Sequence, residues 1–396
     1  MSEQVKFVIV GGGLEGLGIA YSLADRGVRD ILVLERATLC SGMTGKSSGV
    51  VRCHYGTPSL AAMAKYGVDF LEQAGEVLGE DVGLRQCGYA VGVAQRNVEA
   101  MEANVALQQG LGVDVELIDH ARMARLWPGL YIDDFAAFAY EPRGGRGDAY
   151  LLGMAFAAAA RRMGVRIRQG ALVTSLLQDG EDGVRGVELA DGERVLGGSV
   201  ILANGAWAPA LTAPLGFEVP VQSQRAELVL VDPGEPLPDV PVFSDLIGLQ
   251  YLCREPNGHV LVGNSDHAAP EYIDPDHYAD RAGDATITRV VERLGHRMPD
   301  MPDPRVAHSY AGGYDVTPDY NPIIGRAPVT GLFLVTGFSG HGFKIAPAVG
   351  RMVAEVLTTG RTSLAGVEPR DFRLSRFAEG EPLLSRHPYE GAGAMR

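Results

Sequence analysis

Three glycines and one acidic residue near the start of the sequence have the types and the spacing of a dinucleotide-binding site. Residues 11–16 read Gly-Gly-Gly-Leu-Glu-Gly, a G-x-G-x-x-G pattern, and Glu35 follows at the usual separation of about 20 residues. Gly11 permits a tight turn, Gly13 lets a diphosphate approach the backbone, and Gly16 lets a helix pack closely on a strand. Phosphate oxygens would accept hydrogen bonds from free N–H groups at the helix start. Glu35 would accept them from a ribose diol.

The elements around this pattern are those that such a site requires. Residues 7–10 form a short apolar run, residues 17–25 are typical of a helix, and the apolar run 31–34 leads directly into Glu35. Strand, glycine turn, helix and second strand therefore follow in order. The alternative is a glycine turn in a Rossmann-like fold that binds no ligand.

A second glycine-rich turn lies near the other end of the chain. Residues 337–344 read Gly-Phe-Ser-Gly-His-Gly-Phe-Lys and begin a predicted helix that ends near residue 357. The positive end of a helix near a flavin would stabilise the anionic reduced ring. Three features favour FAD over NAD. They are this second turn, the small-residue stretch 40–49 that could wrap a ribityl diphosphate, and the position of the first motif in the chain. From the residues alone, a helix that simply docks on a sheet explains the second turn equally well.

Composition narrows the class of protein. The 396 residues carry a net charge of −14, which disfavours nucleic acid or an anionic membrane as the main partner. The length favours two domains. The four cysteines form no C-x-x-C pair, so we expect a reducing compartment and no metal cluster. Because we find neither an apolar stretch of roughly 18–20 residues nor a signal-peptide pattern, we expect a cytoplasmic protein.

The order of the predicted elements indicates an α/β (α+β) fold in two parts. A discontinuous Rossmann-type βαβ domain for FAD is expected from three pieces, 1–83, 148–216 and 318–366. A mainly antiparallel sheet that binds the substrate is expected from two insertions, 84–147 and 217–317. The tail, 367–396, carries no chemistry that the sequence reveals. Helices are predicted at 59–78, 96–109, 148–162 and 276–296, and strands at 84–94, 165–168, 171–177, 184–189, 199–203, 219–231, 242–253, 258–263 and 305–314.

Three segments carry a resemblance to a known family. They are Val8 to Glu35, the run Ser48–Gly56, and Thr317–Gly325 continuing to Lys344. In these segments the chain resembles the D-amino-acid-oxidase-type superfamily of FAD enzymes, and within it the sarcosine oxidase and dimethylglycine dehydrogenase branch. The resemblance implies an amine or amino-acid substrate, N-methylated or cyclic, whose C–N bond is oxidised to an imine as hydride passes to flavin N5.

Two cationic residues are expected to hold a substrate carboxylate. The resemblance gives this role to Arg52, whose fork of N–H donors suits a carboxylate, although most arginines are surface or structural residues. Lys344 is one of four lysines among 35 basic residues. A lysine kept at the start of the last helix indicates a task for a compact ammonium near flavin and carboxylate, with an exposed helix lysine as the alternative.

Three further side chains have an open assignment. His341 could hydrogen-bond flavin or substrate, or it could cap the helix. Tyr251 and Tyr55 could form aromatic walls for an amine, or they could be core tyrosines. His54 is expected to point away from Arg52.

The expected cofactor contacts extend beyond the two glycine turns. The full predicted set is Gly11, Gly13, Leu14, Gly16, Glu35, Arg36, Ser41, Thr44, Lys46, Ser47, Ser48, Val173, Gly205, Trp207, Gly313, Gly340, Gly342, Phe343 and Lys344.

Two departures from the family pattern bear on the chemistry. Residues 310–314 lack the cysteine that carries covalent flavin in some relatives, and Lys46 stands where others have a histidine. We therefore predict non-covalent FAD. Leu261 takes the place of the lysine that promotes reaction with oxygen in monomeric sarcosine oxidases, so we expect a slow oxidase or a dehydrogenase that reduces another acceptor or a partner protein.

Several functions remain open from the sequence. An oxidase or dehydrogenase of D- or primary amino acids on the same fold is one alternative. A flavin-carrying subunit of a larger amine dehydrogenase is another, and homo- or hetero-oligomers are both compatible with the chain. An NAD-dependent dehydrogenase, which would be colourless as purified, is the third.

Overall fold

The computed structural model describes residues 3–178, 180 and 183–391. The strands are β1 (Glu3–Val10), β2 (Ile31–Leu34), β3 (Val50–Val51), β4 (Tyr89–Val93), β5 (Glu116–Ile118), β6 (Ala137–Glu141), β7 (Gly145–Arg146), β8 (Arg166–Arg168), β9 (Val173–Gln178), β10 (Val184–Leu189), β11 (Arg194–Leu202), β12 (Gln222–Asp232), β13 (Val242–Asp245), β14 (Gln250–Arg254), β15 (Val260–Asn264), β16 (Arg305–Val316), β17 (Ile323–Arg326) and β18 (Leu332–Thr336). The α-helices are α1 (Leu14–Asp25), α2 (Pro58–Leu78), α3 (Val98–Gly110), α4 (His120–Leu126), α5 (Ala149–Arg162), α6 (Ala208–Thr212), α7 (Asp284–Arg297) and α8 (Gly342–Thr359).

The first sheet carries the dinucleotide motif. Its order is β17-β18-β11-β1-β2-β8, in which β18, β11, β1, β2 and β8 run parallel, and β10 and β9 extend antiparallel from β11. Phe7 and Ile9 pack with α1, α2, α5 and α8 on one face, whereas Val8 and Val10 pack with β9 and β10 on the other. Burial on both faces explains why β1 is a continuous apolar run.

The second sheet, of order β16-β12-β15-β14-β13-β4-β6-β5, is assembled from strands of the two predicted insertions. Its residues alternate between two environments. Val229, Phe243 and Val262 pack with α7 and Trp127, whereas Leu228 and Leu261 face the core shared with the first sheet. The mixed α/β class is therefore as predicted.

Local capping explains several helix bounds. Asp148 accepts hydrogen bonds from the backbone N–H groups of Tyr150 and Leu151 and so begins α5 as predicted. Proline occupies the first residue of α2, which ends at Gly79 in the left-handed conformation (φ 75°). A turn that contains Asn257 and Gly258 joins β14 to β15.

Two element predictions were wrong. The single strand expected at 242–253 is the hairpin of β13 and β14, because the Asp245 carboxylate accepts hydrogen bonds from the N–H groups of Ile247 and Gly248 and turns the chain. The helix expected at 276–296 begins at Asp284. Residues 276 and 278 instead bind side chains of the first sheet's loops.

No helix in the described part of the chain combines the length and the apolar character that crossing a membrane demands.

Candidate active site

A cavity of about 560 Å³ lies where the loops after β1, β2, β11 and β18 meet the second sheet. Ligands of open α/β sheets bind at such carboxyl ends of parallel strands. All but one of the predicted cofactor contacts line this cavity, and the exception is Gly16. Its volume and its mixture of glycine backbone and polar side chains suit an extended dinucleotide.

The glycine turn leaves room only for backbone. Gly11 has φ of 113°, and a Cβ there would lie 2.3 Å from the carbonyl oxygen of Ala203. A Cβ on Gly16 would lie 2.0 Å from the oxygen of Gly11. Gly16 therefore serves the packing of turn on helix, whereas Gly11 and Gly13 present their backbone to the cavity.

Glu35 and a stacked pair form one end of the cavity. The carboxylate of Glu35 accepts hydrogen bonds from the N–H groups of Gly12 (2.7 Å) and Ala37 (2.8 Å), which fixes its orientation. The Arg36 guanidinium lies 4.1 Å from the ring centroid of Trp207, and both side chains bind Asp276. Sequence reasoning missed Asp276, which it assigned to a helix that begins only at Asp284.

The small-residue loop after β2 forms the middle of the cavity wall. Ser41, Thr44, Ser47 and Ser48 line it together with Lys46, whose ammonium donates a hydrogen bond to the Tyr278 hydroxyl. Cys40 also lines this wall. Burial, followed by the charges of Glu35 and Asp148, raises the pKa of the Cys40 thiol to about 12, so the thiol is neutral.

At the other end, Gly340, Gly342, Phe343 and Lys344 line the cavity at the start of α8. A cluster of side chains surrounds Tyr55 beside them. The Arg52 guanidinium carbon lies 4.2 Å from the centroid of the Tyr55 ring, and the Lys344 ammonium lies 6.0 Å from it. Arg52 and Lys344 are 7% and 5% exposed, so two cations share one sparsely hydrated corner. Lys344 lines the main cavity, and Arg52 does not.

His341 belongs to the same cluster. Its Nδ1 lies 3.2 Å from the Tyr55 hydroxyl, and it makes no side-chain cap for α8 although it is the N-cap residue. Burial, then the charges of Lys344 and Arg52, hold the pKa of His341 well below its usual value. The imidazole is therefore neutral.

Tyr251 lines a second, small cavity of about 30 Å³. Sequence reasoning missed its other polar walls, which include Gln224, His267 and Tyr314. Gln224 bonds to His267 (3.1 Å) and accepts a hydrogen bond from the Tyr320 hydroxyl (3.0 Å). Burial raises the pKa of Tyr251 well above its usual value, so its hydroxyl is protonated.

The tail also reaches this region. The Tyr389 hydroxyl lies 2.7 Å from Nε2 of His54, and the two rings stack. Arg376 forms a buried ion pair with Asp319 in the Thr317-Pro-Asp segment. The tail therefore packs against both segments that carry predicted site residues.

Leu261 is buried in the core, with 3% of its surface exposed, and it lines neither of the two cavities. Within the described residues, no group of three or more His, Cys, Asp or Glu side chains is arranged to hold a metal ion.

Comparison with known proteins shows which family the chain matches. A family model described as "FAD dependent oxidoreductase" matches residues 6–356. The chain is 31% identical to 4-methylaminobutanoate oxidase (formaldehyde-forming) of Paenarthrobacter nicotinovorans, covering 100% of this chain and 48% of that protein. It is 28% identical to sarcosine oxidase subunit beta of an Arthrobacter species, covering 98% and 94%.

Among solved structures, the L-proline dehydrogenase of P. horikoshii superposes with a TM-score of 0.87 at 27% identity, covering 96% of this chain and 100% of that one. The glycine oxidase of Geobacillus kaustophilus has a TM-score of 0.80 at 23% identity, covering 95% and 99%, which shows the shared fold. The chain spans about half the length of the first of these curated relatives.

Proposed function

Since this chain belongs to the family of FAD-dependent oxidoreductases, we propose that it oxidises the C–N bond of an amino acid, N-methylated or cyclic, to an imine. The observation that carries the proposal is the pair of buried cations, Arg52 and Lys344, which lie 4.2 and 6.0 Å from the ring centroid of Tyr55, with Lys344 lining the α8 end of the cavity. The Glu141 carboxyl group acts electrostatically on Arg52, but burial raises its pKa to about 7. Two cations in one buried corner therefore favour an anionic guest, and a substrate carboxylate supplies it.

When bound, FAD accepts the two electrons and the hydrogen that leave the carbon of the C–N bond. The protein residues bind and orient the substrate. Lys344 and Arg52 attract its carboxylate. His341 stays neutral beside them and holds the Tyr55 hydroxyl. Tyr251 and Tyr314 border the adjoining small cavity and exclude water from the amine.

No strong base is needed for this reaction, because the lone pair of a neutral amine assists loss of the hydrogen. The site then has to select the neutral amine and aim its C–H bond. Backbone N–H groups of the glycine turn and Glu35 would hold the cofactor. Cys40, the cysteine among the lining residues, is a neutral thiol, which favours non-covalent binding.

Leu261 supports a dehydrogenase over a fast oxidase. A cation near the reduced cofactor stabilises the negative charge that forms on oxygen. The resemblance puts Leu261 where some relatives have a lysine, and Leu261 is an apolar core residue. The electron acceptor is then a second protein or a slowly reacting oxygen molecule. Similarity to a protein named as a subunit makes assembly with a partner chain a further proposal.

Anaerobic titration of the purified yellow protein tests the proposal. N-methyl amino acids, proline and D-amino acids are added in turn, and loss of the visible flavin band is measured. We expect bleaching by an N-methylated or cyclic amino acid, but not by the matching amine that lacks a carboxylate. Bleaching by D- or primary amino acids alone would favour the alternative substrate class. If no compound bleaches the flavin until a second protein chain is added, the chain is instead a flavin-carrying subunit of a larger enzyme.

A further inference from the structure

Glu15, in the first turn of α1, has a carboxyl group that faces the cofactor cavity without a partner. It lines the cavity, and its Oε2 is inaccessible to water and has no hydrogen-bond partner among the described residues. A Cβ built on Gly342 would lie 2.9 Å from its Oε1, so the side chain bridges the starts of α1 and α8. A buried polar atom without a partner is destabilising unless a ligand supplies the partner.

A second carboxyl group, that of Asp315 at the end of β16, lies close enough to act on Glu15 electrostatically and lines the same cavity. The two differ in their donors. The Asp315 carboxylate accepts a 2.7 Å hydrogen bond from the N–H of Gly337. Glu15 has no such donor. When a bound ligand shields two neighbouring carboxyl groups from water, they share one proton, and the group without donors retains it.

We propose that Glu15 is protonated in the cofactor-loaded protein and donates a hydrogen bond from its carboxyl group to FAD. The proposal rests on FAD occupying this cavity, which the proposed function also requires. An ionised Glu15 would add a negative charge beside Asp315 in a cavity that would also take the anionic diphosphate, and these anionic groups would repel one another. The protonated acid removes that repulsion and turns an unpartnered acceptor into a donor.

The charges around Glu15 agree with this assignment. Burial, followed by the charge of Asp315, raises the pKa of Glu15 well above its usual value. Burial also raises the pKa of Asp315, to about 6, although backbone N–H groups oppose the shift. The elements that pack on α1 carry other titratable groups at the same end as Glu15. These are His341 and Lys344 of α8, Glu35 after β2 and Asp148 before α5.

The affinity of the apoprotein for FAD, measured by fluorescence quenching between about pH 6 and pH 10, tests the proposal. In the wild type we expect the dissociation constant to rise by up to about tenfold for each pH unit above the pKa of Glu15. In Glu15→Gln, which keeps the shape and a donor, we expect a flat profile. Glu188→Gln, which loses a surface ion pair with Arg194, should keep the wild-type slope.

Infrared spectra of the loaded protein give a second readout, because a protonated carboxylic acid has its own C=O stretching band. We expect Glu15→Gln to lose one such band. If Glu15→Gln does not fold, Glu15→Met should bind FAD more weakly but with the same flat profile. A wild-type profile without slope, or an unchanged slope and band in the Glu15 variants, would overturn the inference. Failure of the proposed function would give a different result, in which FAD binds to the protein but no amine bleaches the flavin band.

Discussion

The Tyr55 hydroxyl lies 3.2 Å from Nδ1 of His341, and this contact joins the segment after β3 to the start of α8. Residues 286 positions apart in the sequence thereby form one cluster with Arg52 and Lys344. The neutral imidazole is important here because a third positive charge would raise the energy of the two cations already buried.

Replacement of Arg52 should weaken binding of the carboxylated substrate. A hydrogen bond to a charged group contributes about 1.5–3 kcal/mol, so Arg52→Met should lower kcat/KM by about 10- to 150-fold. Arg52→Lys should recover only part of the loss because it lacks the planar fork. Steady-state kinetics provide the measurement. Equal losses with an amine that has no carboxylate would show that Arg52 acts on the fold rather than on the substrate.

Introducing a cation at position 261 should speed reaction with oxygen. In Leu261→Lys, we expect reoxidation of the reduced enzyme to be about tenfold faster or more, since the ammonium would stabilise charge that develops on oxygen. Leu261→Met is the control for repacking of the core. Stopped-flow mixing with oxygenated buffer measures the rate. A wild type that already reacts as fast as the lysine variant would refute the dehydrogenase proposal.

Much of the cofactor end could be predicted from sequence because local rules govern it. The glycines at 11 and 13 and the acid at 35 follow from turn geometry and strand ends, which a short segment encodes. The same holds for Asp148, whose capping role depends on its immediate neighbours. The position of Lys344 at the start of α8 follows from the glycine turn before it.

The missed residues come together only through long-range pairing. Gln224 of β12 lies opposite Tyr314 of β16, and His267 follows β15, which pairs with β14. The sequence does not reveal the register of these strand pairs. Glu15 sits inside the recognised motif, but its burial depends on α8 and β16, which approach from the far end of the chain. The contact of Tyr389 with His54 likewise requires the tail to fold back over 335 residues.

The tail should contribute strongly to stability. The Arg376 and Asp319 side chains are 0% and 1% exposed, and removing one partner leaves the other charge buried. Arg376→Met should therefore lower the free energy of unfolding by about 3–5 kcal/mol. Tyr389→Phe, which loses one hydrogen bond to His54, should cost about 0.5–1.5 kcal/mol. Chemical denaturation measures both, and a smaller loss in the arginine variant than in the tyrosine variant would contradict the argument.

Acid denaturation should release all of the flavin. The thiol that lines the cavity, Cys40, is neutral because its pKa is raised to about 12, and a neutral thiol is a poor nucleophile toward a flavin ring. We expect the yellow colour in the supernatant after precipitation, both in the wild type and in Cys40→Ser. Colour retained in the wild-type pellet but lost in the serine variant would reveal a covalent link.

Glu141 should make the protein less stable as the pH rises toward neutrality. Burial raises its pKa to about 7, although the backbone N–H of Cys53 and the charge of Arg52 oppose the shift. The folded protein therefore keeps a proton that the unfolded chain loses above its ordinary pKa of about 4.3, and this contribution to stability falls between that pH and about 7. In Glu141→Gln the free energy of unfolding should fall less over this pH interval than in the wild type, by on the order of 1–3 kcal/mol. Unfolding free energies measured from about pH 5 to pH 8 check this; parallel curves for the two proteins would show that the Glu141 carboxyl is ionised throughout.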